Sequence, residues 1–144
     1  MKKTVDINEL IPLIKESLMS DKKVKFVPFG DSMLPTLVGG CDLVTLVKPD
    51  KIKAMDICLY EREDHTYVLH RLVKIYRGEY LMMGDNQEVI EHGIHQSDII
   101  AVVEDFEHGK NHISCQNFCY RLKAYLRYKF RLFRKIKRKL SKMK

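Results

Sequence analysis

Two side chains, Ser32 and His70, are the strongest candidates for covalent chemistry in this chain. Ser32 lies in the segment FGDSMLPTL (29–37), where Gly30 permits an unusual backbone path and Pro35 restricts the chain after the serine. A serine hydroxyl becomes a strong nucleophile only when a base accepts its proton and amide donors face the developing oxyanion. Because a turn of this kind is usually structural, a catalytic interpretation requires a partner base.

His70 lies in the segment TYVLHRLVKIY (66–76), whose apolar residues predict a strand. An unpaired imidazole in an apolar strand costs free energy, so the histidine is either paired in the core or used chemically. A neutral imidazole has an unperturbed pKa of about 6.5, which suits it to accept a serine proton near neutral pH. On a regular strand Lys74 would share its sheet face about 13 Å further along, too far away to replace it.

Three segments of the chain resemble, in order, the sequence boxes of one family of serine peptidases. GDSMLPTL (30–37) looks like the nucleophile box of bacterial type I signal peptidases, with Ser32 as its serine. YVLHRLV (67–73) resembles the strand that carries the base, with His70 where the usual bacterial enzymes have lysine. This histidine is similar to that of the signal peptidases of the endoplasmic reticulum, archaea and some Gram-positive bacteria. Gly84-Asp85-Asn86 resembles the glycine-aspartate-asparagine turn of the family.

The resemblance covers residues 24–106 and implies a serine endopeptidase that needs no cofactor. Such enzymes cleave an extended peptide laid along a strand edge, after small residues that fit shallow apolar pockets. Met33, Leu34 and the residues of 24–29 are apolar enough to line such a groove. The expected partner is therefore a peptide or protein substrate.

A histidine base also needs an acceptor that fixes its tautomer, and two acidic residues are candidates. In the histidine-type members the catalytic acid lies a few residues beyond the glycine-aspartate-asparagine turn, and the resemblance places it at Glu91. Asp85 would then hold the loop through hydrogen bonds of its own turn. Glutamate in place of the usual aspartate departs from the family pattern. The resemblance favours Glu91, and Asp85 stays the alternative.

Metal and disulfide chemistry are not expected from the remaining histidines and cysteines. His92 and His95 lie in a predicted glycine-containing loop, EHGIH (91–95), but no second cluster at ligand spacing accompanies them, so we expect no metal site. The four cysteines show no Cys-x-x-Cys spacing. This pattern predicts reduced thiols and favours a cytoplasmic protein.

The elements around these residues predict a mainly β protein. Residues 7–19 have apolar residues at helical spacing after Asp6, a candidate cap, and Pro12 predicts a later helix start. Residues 24–106 contain short runs rich in Val, Ile, Leu and Tyr, separated by turn residues. They predict an antiparallel, partly closed sheet, to which 112–117 adds an edge strand.

Residues 118–144 differ in charge from the rest of the chain. They contain 12 of the 26 Lys and Arg and no acidic residue, so 1–117 hold 14 basic against 19 acidic side chains. Helical spacing within 118–143 predicts a basic amphipathic helix. Its apolar stripe comprises Leu122, Leu126, Phe133, Ile136, Leu140 and Met143, widened by Tyr125 and Tyr128. We therefore divide the chain into a peptidase domain, 1–117, and a basic tail, 118–144.

The tail is expected to bind an anionic membrane surface from the cytoplasmic side. No apolar run reaches the roughly 20 residues that a membrane-spanning helix needs, and no cleavable secretory signal is expected. Most members of the family have a transmembrane anchor, which the tail would replace. In the alternative arrangement the apolar stripe packs on the body of the protein.

Two other functions compete with an intermolecular peptidase. Self-cleaving repressors share the serine fold, but they use lysine as base and carry an N-terminal DNA-binding domain, for which the residues before Val24 leave no room. A non-catalytic relative could use the basic tail to bind nucleic acid, although no recognised reading motif accompanies it.

Overall fold

The computed structural model describes residues 6–143, which form eight strands flanked by two helices. The elements are α1 (Ile7–Met19), β1 (Val24–Phe26), β2 (Leu43–Val47), β3 (Ile57–Glu61), β4 (Tyr67–Tyr76), β5 (Glu79–Met83), β6 (Glu91–Ile94), β7 (Ile99–His108), β8 (Asn111–Ser114) and α2 (Phe118–Ser141). A short 3-10 turn, Gln96–Asp98, leads into β7. The predicted class, mainly β with a helix near each end, is confirmed.

All strand pairs are antiparallel, in the order β1-β2-β7-β3-β4-β5-β6, with β8 added beside β7. The ten-residue β7 is central, since it pairs with β2 on one side and with β3 and then β8 on the other. Within the described residues β1 and β6 do not pair with each other, so the sheet stays open. The site strands β3, β4 and β5 lie side by side.

Strand β6 corrects the expectation that 91–95 is a loop. Only Ile94 of its four residues is apolar, and Gly93 has a φ of +80°, so no alternation of apolar residues marks it as a strand. The segment is a strand because it pairs with the edge of β5, where Glu91 is opposite Met82. Glu91 is consequently held on a strand.

Two apolar clusters occupy opposite faces of the central strands. Side chains of β3 alternate between them, so Leu59 lies in the first cluster and Tyr60 in the second. Helix α1 covers the first cluster with Ile11, Ile14 and Leu18. The buried residues of the second cluster all lie on strands: Cys58, Tyr60, Leu72, Tyr80, Met82, Ile94, Ile99 and Val102. The strands themselves therefore cover the second cluster.

Helix α1 has the predicted bounds, but Pro12 does not delay its start. The Asp6 carboxylate accepts a hydrogen bond from the Asn8 N–H at 3.0 Å and caps the first turn. Proline lacks the N–H of one helical hydrogen bond, and burial of the apolar face retains the helix despite that loss. Met19, the last residue of the helix, is exposed.

Helix α2 packs on the body through its basic side. Arg121 donates to the buried Asp56 at 2.9 Å and to the Ala54 carbonyl at 2.6 Å. Further along the helix, cationic side chains reach the serine segment and the turn at 86–88: Arg127, Arg131, Lys135 and Arg138. Ala124 is buried. These contacts follow the opposite side of the helix from its apolar stripe.

The apolar side of α2 is exposed. Its large exposed side chains are Phe118, Leu122, Tyr125, Leu126, Phe130, Phe133, Ile136, Leu140 and Met143. The arrangement in which this stripe packs on the body is therefore not the one adopted. Tyr128 also departs from the predicted stripe, because it packs against the small cluster of Met55, Val73 and Met83. Neither helix within residues 6–143 is long and apolar enough to cross a membrane.

Candidate active site

Ser32 lies in the connection between β1 and β2, which we call the serine loop (29–37). Met33 and Leu37 are buried in the first apolar cluster and hold the loop on the body. Gly39 passes directly against Gly30, and a Cβ at Gly39 would lie 1.9 Å from the Gly30 carbonyl oxygen. The loop therefore presents a half-buried Ser32 on a tightly packed backbone.

The turn Gly84-Asp85-Asn86 contacts the serine loop through hydrogen bonds from Asn86 to main-chain carbonyls. The Asn86 N–H donates to the Ser32 carbonyl at 2.8 Å, and its side-chain amide donates to the Asp31 carbonyl at 3.1 Å. Gly84 allows this close approach, because a Cβ there would lie 2.6 Å from the Ser32 carbonyl oxygen. Two of the three sequence boxes are thus in direct contact.

The strand register places His70 next to this contact. Arg71 of β4 is opposite Met83 of β5, so the next position along places Gly84 level with His70. The Ser32 main chain, which lies against Gly84, is therefore beside the His70 position. The side chains of Ser32 and His70 are not hydrogen bonded to each other in the structure.

The His70 imidazole is almost fully buried, with its Nδ1 side turned toward two polar groups. Nδ1 lies 3.2 Å from the Tyr60 hydroxyl and 3.8 Å from Glu91 Oε2. Nε2 has no hydrogen-bond partner among residues 6–143 and retains a small solvent-accessible area. Burial lowers the pKa of His70, an effect that the Glu91 charge opposes.

Glu91 is held by two residues at the C-terminal end of β3, Tyr60 and the following Arg62. Arg62 donates from Nε to Oε1 at 2.6 Å and from Nη2 to Oε2 at 3.0 Å, and the Tyr60 hydroxyl donates to Oε2 at 2.8 Å. Partial burial alone would raise the pKa of Glu91, but these hydrogen bonds lower it below its ordinary value. Glu91 is therefore ionised at neutral pH. Burial raises the pKa of Tyr60, which keeps the phenol protonated.

Asp85, the alternative acid, is bound to other partners. Arg71 donates to both of its oxygens at 2.8 Å, and the Thr36 hydroxyl donates to Oδ2. Arg71 also donates to the Met55 carbonyl at 2.7 Å and the Tyr120 hydroxyl at 3.1 Å. Asp85 does hold the loop, but through a buried ion pair and not through hydrogen bonds of its own turn.

An irregularity of β4 lies between His70 and Lys74. The pairing with β5 shifts register between Leu72 and Lys74, so the regular spacing assumed from the sequence does not apply. Lys74 is exposed, and its ammonium lies 5.2 Å from the centre of the Tyr76 ring. Across the described chain, His92 and His95 do not join any group of three or more residues that could hold a metal ion.

Sequence reasoning missed Tyr60, Arg62 and Thr36 as members of the site. Tyr60 and Arg62 are two positions apart near the end of β3, which places them on the same face of the sheet. That spacing is visible in the sequence, but their proximity to Glu91 depends on strand pairing. No protein-family model matches the chain, and no curated protein matches its sequence significantly. The family resemblance therefore depends on the three boxes.

We expect the two acidic residues to differ in their effect on stability. Asp85→Asn leaves the buried Arg71 without its counter-charge and should lower the free energy of unfolding by about 3–5 kcal/mol. Glu91→Gln is the matched control, and because its partner Arg62 is partly hydrated it should cost about 1 kcal/mol. Urea unfolding of both variants checks this. Equal losses would show that the Arg71–Asp85 pair has no special structural role.

Proposed function

We propose that this chain is a serine endopeptidase of the signal-peptidase type, with Ser32 as nucleophile and His70 as general base. The observation that carries the proposal is the orientation of His70. Its Nδ1 is turned toward Tyr60 and the ionised Glu91, while Nε2 has no hydrogen-bond partner within residues 6–143. Gly84, which is level with His70, lies against the Ser32 main chain. The orientation of His70 is the one that a base needs to accept a proton from a neighbouring hydroxyl.

The proposed reaction begins when Ser32 attacks the carbonyl carbon of a peptide bond and its proton passes to His70 Nε2. The resulting oxyanion needs donors, and the Ser32 N–H makes no hydrogen bond within residues 6–143. The imidazolium then gives its proton to the leaving amine, and an acyl-enzyme on Ser32 remains. Water, deprotonated by His70, hydrolyses that ester and restores the serine.

A groove beside the serine loop supports an extended peptide as substrate. It has a volume of about 470 Å³ and is lined mainly by Ile7, Leu10, Phe26, Phe29, Tyr67 and Leu69. Strand β4 pairs with β5 only from Arg71 onward, so on that side 67–70 have no strand partner in the described chain. An extended peptide could add to this edge and place alternate side chains in the groove.

A smaller cavity supports cleavage after a small residue. It lies under the serine loop, has a volume of about 50 Å³, and is lined by Pro28, Phe29, Gly30, Met33, Leu37, Gly39 and Leu69. Its lining is apolar and close to Ser32 in the chain. A cavity of this size accepts a methyl group more readily than a branched or aromatic side chain.

Ser32→Ala should abolish peptide cleavage and leave the fold intact. The Ser32 side chain makes no hydrogen bond within the described residues, so its loss should change the free energy of unfolding by less than about 1 kcal/mol. The measurement is the appearance of new peptide termini, by mass spectrometry, after incubation with a proteome-derived peptide library. Cleavage after small residues by the wild type alone supports the proposal. Identical cleavage by Ser32→Ala contradicts it.

The activity should persist to a pH below about 6.5, the ordinary pKa of histidine. Burial lowers the pKa of His70, and only the neutral imidazole can act as base, so activity is lost as the pH falls through that lowered pKa. Glu91→Gln removes a charge that raises the pKa of His70. Its residual activity should fall at a still lower pH, as checked by kcat/KM profiles. If the acidic side of the pH profile is the same in Glu91→Gln as in the wild type, the loss of activity at low pH is due to a group other than His70.

We also propose that α2 attaches the protein to an anionic membrane surface. Its exposed apolar stripe has the amphipathic character of helices that lie in the headgroup plane. Lys123, Lys137 and Lys139 make no ion pair or hydrogen bond within residues 6–143 and remain available to lipid headgroups, each contributing about 1 kcal/mol. Exposed Cys41 and Cys119, both unpaired, suit the reducing cytoplasmic side.

Attachment through the apolar side of α2 would also determine how far the candidate active site lies from the membrane. The opposite side of α2 contacts residues 86–88, which adjoin the serine loop. A helix is about 10 Å in diameter, so the site would work close to the membrane surface. The proposed substrates are therefore peptides that emerge from the bilayer.

The triple variant Leu126→Gln, Phe133→Gln, Leu140→Gln should lose membrane binding and keep its fold, because all three side chains are exposed. The assay is co-sedimentation with vesicles of phosphatidylcholine and phosphatidylglycerol. Wild type should bind at low salt and dissociate as salt rises, since screening acts over about 8–10 Å. Met19→Gln, an exposed apolar residue of α1, is the control. Salt-sensitive binding to duplex DNA without vesicle binding would favour the nucleic-acid alternative.

A further inference from the structure

Tyr60 occupies the space between His70 and Glu91. It is fully buried on β3, where Cys58 is opposite His70 and Tyr60 is opposite Val68, so Tyr60 and His70 are diagonal neighbours on one face. Their rings pack edge to face, with centroids 6.2 Å apart. The close packing fixes both ring orientations. The hydroxyl thus lies within hydrogen-bond distance of the imidazole and the carboxylate together.

The 3.8 Å between His70 Nδ1 and Glu91 Oε2 is too long for a hydrogen bond. Glu91 therefore does not fix the histidine tautomer directly, as the acid of an ordinary triad does. Arg62 holds both oxygens of Glu91 and fixes the carboxylate at this distance. The group in contact with Nδ1 is the Tyr60 hydroxyl.

The proton count of this network determines the tautomer. Tyr60 has one hydroxyl proton, and the ionised Glu91 can only accept, so that proton lies on the 2.8 Å bond to Oε2. The phenol oxygen can then only accept from His70, which requires a proton on Nδ1. Nε2 is consequently unprotonated. With the hydroxyl turned the other way, Nε2 would carry the proton and could not accept one from serine.

We infer that Tyr60 is a positioning residue. It sets the tautomer of His70, and its hydroxyl connects the imidazole to the charged Glu91 through hydrogen bonds. The inference builds on the proposed peptidase function, in which His70 Nε2 must be the free base. When the imidazole gains its second proton, Nδ1–H stays bonded to Tyr60. The hydroxyl dipole, aligned by Glu91, then stabilises the positive ring.

The first test is the tautomer itself, measured by nitrogen-15 NMR of the intact wild-type protein at a pH above the pKa of His70. We expect the Nδ1–H form. Tyr60→Phe should remove that preference and yield the Nε2–H form or a mixture. Tyr80→Phe is the matched control, because Tyr80 is buried in the same cluster and its hydroxyl makes no side-chain hydrogen bond in the described chain. An Nε2–H form in the wild type, or an unchanged tautomer in Tyr60→Phe, overturns the inference.

The second test is kinetic and uses a peptide that the wild type cleaves. Tyr60→Phe should lower kcat by roughly 10- to 100-fold, the effect of one oriented hydrogen bond, with KM nearly unchanged. Tyr80→Phe should retain wild-type kcat. A wild-type kcat in Tyr60→Phe contradicts the inference. The wild-type tautomer is measurable even if the protein cleaves nothing or Tyr60→Phe does not fold, so failure of the proposed function and failure of this inference are distinguishable.

Discussion

The structure around the site depends on the burial of one guanidinium group. Arg71 is about 1% exposed, so its charge and donors must find partners within the protein. Asp85 supplies the counter-charge, and main-chain and phenol oxygens from Met55 and Tyr120 satisfy other donors. These partners belong to the turn after β5, the segment before β3, and α2. Through Thr36, Asp85 also holds the serine loop. A single buried charge therefore brings together four segments that are distant in the chain.

Two carboxylates that are six positions apart have different roles because their surroundings differ. Asp85 is buried and paired with a buried arginine, which makes it a structural group. Glu91 opens a short edge strand, where the partly exposed Arg62 holds it ionised on the Nδ1 side of His70. The charge near the imidazole is thus kept at a fixed distance, with a phenol between the two groups. In the proposed mechanism the buried Asp85 supports the site, and Glu91 acts on the base.

Helix α2 reverses the usual arrangement of an amphipathic helix on a protein surface. Its arginines contact carbonyls and carboxylates of the body, where acidic side chains outnumber basic ones, and its apolar side faces outward. Arg121 and the buried Asp56 fix its first turns. Residues 86–88 receive its later contacts and also border the serine loop, so the orientation of the helix and the geometry of the site are linked.

The sequence alone determined the features that depend on local pattern. Apolar spacing and the Asp6 cap predicted α1, and runs of branched residues predicted most strands. Three short boxes indicated Ser32, His70 and the turn at 84–86 as candidates for one site. Strand β6, the position of Tyr60 between His70 and Glu91, and the outward apolar side of α2 were decided only by the tertiary structure. Each depends on pairing between distant segments, whose register is set by the cooperative burial of whole strand faces. An amphipathic pattern likewise indicates which side of a helix is apolar, but only long-range contacts decide which side meets the body.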